Sequence, residues 1–188
     1  MPLVALLLLS AQVARTPAPV ARPLARGYPV CAGVGVLAPN LAIQPPDLAF
    51  SIRQVLDLQF QARLRQNFRG DHLMQFKVFT PGGFLYQVIT VPFVGTAPAP
   101  DAPTRARAES GPPPPRPVPG YPRPLPVQRL VLTAGDTRAR GHYGVSATLP
   151  VAGTSITLSS LYGRWTVQSY LDGQPDPCGP ASQFTIRD

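Results

Sequence analysis

A proline-rich stretch, residues 96–126 (TAPAPDAPTRARAESGPPPPRPVPGYPRPLP), divides two segments that both carry β-strand patterns. Proline fixes φ and donates no backbone hydrogen bond, so this run cannot sit inside a sheet. It holds much of the 26 prolines in 188 residues, about three times the usual ~5%. Each flank has room for about four strands, and a four-stranded sheet leaves an apolar face to cover. So short a chain buries comparatively little surface alone. The economical solution is two sheets packed face to face, with both flanks feeding one core. The expectation is an all-β, antiparallel β-sandwich over residues 31–188, a single domain with a long disordered proline-rich insertion at 96–126.

The strands are read from period-two alternation. Residues 32–43 predict a first strand, with Val34, Val36, Leu41 and Ile43 facing inward and Pro45–Pro46 ending it. Residues 50–64 are ambiguous. Leu56, Leu58, Phe60, Ala62 and Leu64 alternate with polar residues as in a strand, while Leu48, Ile52, Leu56, Phe60 and Leu64 recur every four as in a helix. The need for an antiparallel partner favours the strand. Residues 67–71 read as a turn, 72–80 as a strand, Pro81-Gly82-Gly83 as a tight turn and 84–93 as the returning strand. Beyond the prolines, 129–133 and 143–149 are strands, and 154–158 extend after the turn at Gly153. Residues 164–171 put Trp165, Val167 and Leu171 on the core face and Tyr170 on the other. Residues 184–187 close the chain.

Residues 2–14, PLVALLLLSAQVA, match the apolar core of a signal peptide. They are too short to span a bilayer as a helix. Residues 1–14 therefore read as a signal peptide and 15–30, with four prolines and three arginines, as a flexible leader. The mature chain is then secreted, periplasmic or at the cell surface, with no membrane span. In such a compartment the only two cysteines, Cys31 and Cys178, invite a structural disulfide. Tyr28-Pro29-Val30 before Cys31 lacks the small residue that lipid attachment requires.

The net charge of +8 does not indicate nucleic acid. Arg15, Arg22 and Arg26 lie in the leader, and Arg105, Arg107, Arg116 and Arg123 in the insertion. A nucleic-acid binder gathers such charge on one folded face, often with stacking aromatics.

The pieces GDHLMQFKVFTPGGFLYQ, LPVAGTSI and LYGRWTVQSYLDG resemble bacterial exported immunoglobulin-like or fibronectin-III-like modules. In those, a strand enters a Pro-Gly hairpin and a late Gly-x-Trp-x-Val strand ends at Asp-Gly. The resemblance covers most of residues 45–188 outside the insertion. The Cys-Trp-Cys framework of antibody domains is missing, because Trp165 lies late and Cys31 precedes the paired strands. The resemblance implies an adhesion, spacer or docking element that binds a protein partner or self-assembles.

Little in the sequence carries chemistry. His72 and His142 have no companion at metal-ligand spacing and read as surface or turn residues. No Gly-x-Ser-x-Gly elbow is present, and Gly33-Val34-Gly35 lacks a dinucleotide-binding context. Asp172 and Asp176 fit a solvated turn better than a calcium site. The PxxP spacing at 111–119 suits a passive spacer better than a recognition motif. No catalytic residue, metal or cofactor is assigned. Tyr86, Tyr162 and Tyr170 are the candidate ligand-binding residues, with a glycan as the alternative partner. A small hydrolase with a hidden site is the third reading.

Overall fold

The computed structural model describes residues 30–65, 68–95, 112–133 and 142–188. The proposed signal peptide and most of the leader lie outside them. The described residues are all-β apart from one helical turn. Its elements are β1 (Cys31–Leu37), β2 (Ala49–Ser51), β3 (Asp57–Leu64), β4 (Gly70–Phe79), β5 (Leu85–Gly95), β6 (Gln128–Arg129), β7 (Val131–Thr133), β8 (His142–Pro150), α1 (Ser155–Leu158), β9 (Gly163–Leu171) and β10 (Ser182–Arg187).

Two sheets result, ordered β1-β3-β8-β7 and β2-β10-β9-β4-β5-β6. Strands from the two sides of the proline-rich stretch pair directly. Leu58 faces Leu149 and Ala62 faces Val145 in one sheet, while Met74 faces Leu171 and Val78 faces Val167 in the other. Pairing is antiparallel except where β2 runs parallel to β10 and β6 parallel to β5. That corrects a purely antiparallel expectation. Both exceptions are short strands at the two edges of the larger sheet.

One apolar cluster fills the space between the sheets. Phe60 of the smaller sheet lies 6.1 Å from Phe76 and 5.7 Å from Phe184 of the larger, ring centre to ring centre. Trp165 is fully buried as its alternation predicts. Its Nε1–H donates to the Leu161 carbonyl at 3.0 Å, which satisfies its one polar atom.

Four departures from the sequence reading have local causes. β1 stops at Leu37 rather than continuing to residue 43. The Gln44 side chain accepts from Ala38 N and donates to the Ala38 and Leu41 carbonyls, folding the chain into a loop. Ile43 ends 86% exposed. Residues 50–64 are neither one strand nor a helix. Gln54 N and Val55 N both donate to the Ser51 carbonyl, and this turn sends β2 and β3 into different sheets. Residues 154–158 close into α1, with Thr154 Oγ1 accepting from Ile156 N. Residues 70–71 belong to β4 rather than to a turn.

The expected disordered insertion is corrected over residues 112–126, while 96–111 lie outside the described residues. Arg116 and Leu125 exchange two backbone hydrogen bonds of 2.8 Å, forming a closed loop. Val118 and Val127 are buried yet lie outside the inter-sheet core. Arg116 also forms an ion pair with Asp71. Asp71 alternates with the buried Met74, Phe76 and Val78, so it faces away from the core. The loop therefore straps onto the outer surface of the larger sheet.

Candidate functional site

The registers sort the strand ends to two poles. Cys31, Leu64, Gly70, Gly95 and Leu171 lie at one; Leu37, Asp57, Phe79, Leu85 and Pro150 at the other.

Cys31 and Cys178 are bonded at the first pole. Cys31 opens β1 of the smaller sheet. Cys178 lies between β9 and β10 and is tied to β9, where its N–H donates to the Ser169 carbonyl. The bond thus clips one sheet to the other. Cys31 N donates to the Cys178 carbonyl at 2.8 Å. Gly179 completes the clip, because a Cβ there would collide with the Cys31 carbonyl.

The same pole brings together two residues read separately in the sequence. His72 Nδ1 lies 2.8 Å from Asp172 Oδ2, and its Nε2 lies 3.1 Å from the Arg69 carbonyl. Asp172 Oδ1 accepts from Leu73 N, and Asp172 N donates to the Leu73 carbonyl. The imidazole stacks on Phe93 and meets the edge of Phe68. Both ring nitrogens are engaged, one by a carboxylate and one by a carbonyl, so the pair fastens the β9 exit to β4. Asp172 adopts φ 51°, a conformation that favours Gly, Asn or Asp. Asp172→Ala should therefore destabilise by about 2–3 kcal/mol, from two lost hydrogen bonds to a carboxylate and backbone strain. Asp172→Asn, which keeps the turn, should cost less. Urea denaturation of the two variants checks the order. Asp176 is exposed. Among the described residues no three His, Cys, Asp or Glu side chains gather as metal ligands.

The three candidate tyrosines do not share one face. Tyr86 packs edge-on against Trp165 at 5.2 Å, with its hydroxyl 2.8 Å from Ser155 Oγ of α1. Tyr162 is half-buried against the core. Tyr170 is on the outer face of the larger sheet, as predicted, but it is buried there. Its hydroxyl donates to Gln168 Oε1, and Lys77 Nζ covers its ring at 3.9 Å. His142 opens β8.

The second pole holds Ile43 and Leu56, which alternation placed inward, together with three apolar residues to which it gave no face. Ile43, Leu56, Phe84, Leu85 and Leu158 are 86%, 61%, 76%, 53% and 80% exposed. They account for all but Tyr121 of the exposed large apolar side chains described. Local bonds join their segments. Val151 N and Ala152 N donate to the Leu56 carbonyl, the chain runs on into α1 with Leu158, and the Tyr86–Ser155 bond ties α1 to the hairpin bearing Phe84 and Leu85. The hairpin tip is fixed by Thr80, whose N–H donates to the Phe84 carbonyl and whose hydroxyl accepts from Phe84 N. Asn40 Nδ2 donates to the Gln54 carbonyl and brings the Ile43 loop alongside. An open depression of about 490 Å³ lies there, lined by Ile43, Pro45, Pro46, Gln54 and Arg187 among others.

A sequence signal for this pole exists in the pair Phe84-Leu85. Two adjacent apolar residues at a hairpin cannot both face one core. Among the described residues, no helix is long and apolar enough to cross a membrane. No family model matches the chain, and no curated protein or solved structure is detectably similar to it.

Proposed function

We propose that this chain is a non-enzymatic exported module of immunoglobulin-like architecture that works by docking protein, as an adhesion, envelope or appendage element. The observation that carries the reading is the cluster of five exposed large apolar side chains at one pole. Exposed large apolar side chains gathered at one end of a folded chain support an interaction site there. The strand order supports the architecture. β1-β3-β8-β7 matches the A-B-E-D sheet of an immunoglobulin domain, and β10-β9-β4-β5-β6 follows the G-F-C-C′-C″ order of the variable type. The disulfide is compatible with an oxidising, extracytoplasmic compartment, although it does not join the strands that antibody domains link.

The glycan alternative loses support, because Tyr86 and Tyr162 pack toward the core and Tyr170 is covered by Lys77. The hydrolase alternative draws only on the His72–Asp172 pair, whose second ring nitrogen faces a carbonyl rather than a hydroxyl or thiol. Cross-linking in the producing cell separates the readings. The wild-type chain should give a discrete protein adduct that is lost in Phe84→Ser/Leu158→Ser, and a glycan array should stay blank. An adduct unchanged in that variant would argue against docking through this pole. Glycan binding abolished by Tyr170→Ala would favour the carbohydrate alternative.

A further inference from the structure

The apolar pole also carries an argument about its occupant. Its segments hold Arg53, Arg164 and Arg187 against Asp47, Asp57 and Asp188, an even balance of sign. Arg53 and Asp188 form an exposed ion pair beside the patch. The rest of the described surface carries Arg63, Arg65, Arg69, Lys77, Arg116, Arg123 and Arg129 against Asp71, Asp172 and Asp176. A two-fold contact sets a patch against its own copy, so each charge meets charges of the same patch. A predominantly basic surface placed on itself repels. The balanced pole can pair an arginine of one copy with an aspartate of the other.

We infer that this pole is a self-association surface, and that its partner is a second copy of this chain joined about a two-fold axis. The inference rests on the protein-docking reading above. The five side chains offer on the order of 600 Å² of apolar surface, comparable to the largest patches on monomers and below the roughly 800 Å² that each partner contributes to a standard interface. The dimer is therefore of modest affinity, in the micromolar range.

Sedimentation velocity of the full chain tests this. The wild type should pass from one-chain to two-chain mass across the micromolar range. Phe84→Ser/Leu158→Ser should weaken association at least about tenfold, or about 1.4 kcal/mol. Both side chains are exposed, so the fold should be retained, and a far-UV circular dichroism spectrum matching wild type checks that. Arg164→Glu, also at an exposed position, provides a second variant that should weaken the dimer through charge alone. A wild type that stays monomeric, a dimer indifferent to both variants, or open-ended growth beyond two chains would each overturn the proposal. A monomeric wild type that still forms the pole-dependent adduct in cells would overturn self-association while leaving the docking reading standing.

Discussion

Replacing Cys31 and Cys178 together by serine should lower the free energy of unfolding by about 4–5 kcal/mol. The two residues are 147 apart in sequence, so the bond closes nearly the whole folded chain and removes a large share of the unfolded chain's freedom. Its folded-state setting adds to the effect. The clip joins β1, at the edge of the smaller sheet, to β9 in the larger one, and the Ser169 hydroxyl sits 3.2 Å from Cys178 Sγ in a buried site. With a urea m-value of roughly 2 kcal/mol/M, the midpoint should fall by about 2 M. Trp165 fluorescence reports the transition, because the indole is fully buried. Reduction of the wild type should give a similar shift. A double variant within about 1 kcal/mol of wild type would show that the sheets hold together without the clip.

Phe60→Ala should cost about 3–5 kcal/mol, the range for emptying a fully buried aromatic site. Phe60 is completely buried at the centre of the interface between the sheets. It contacts Phe76, which lies before the proline-rich stretch, and Phe184, which lies after it. The loss should therefore act on one cooperative transition, with fluorescence and far-UV circular dichroism falling together. Arg63→Ala, on the outward face of the same strand, is the control and should stay within about 0.5 kcal/mol. Two separate transitions in Phe60→Ala would mean that the flanks are stabilised independently.

Alternation placed Leu58, Phe60, Ala62 and Leu64 on the core face, and all four are fully buried. It failed for Leu56, two residues earlier, because the turn at Ser51 shifts the chain before β3 begins. Ile43 fails for a comparable reason: a glutamine side chain replaces the sheet as the hydrogen-bond partner of Ala38. Period two describes which way a residue points only while the ladder lasts. Tyr170 obeyed the pattern and still became buried, because Lys77 from the neighbouring strand lies over its ring. Outward in sequence is not the same as exposed in the fold.

The sequence by itself determined the β character of this protein, the Pro81-Gly82-Gly83 hairpin, the inward face of Trp165 and the availability of one cysteine pair. Each follows from local chemistry: alternation, turn-forming residues and composition. Only the tertiary structure decided which sheet each strand joined, that His72 meets Asp172 one hundred residues away, and that residues 112–126 fold back onto the larger sheet. Only it collected Ile43, Leu56, Phe84, Leu85 and Leu158 at one pole. These outcomes depend on what lies across a strand or beyond a loop. A side chain's periodicity gives its direction but not its partner, and burial is a property of the pair.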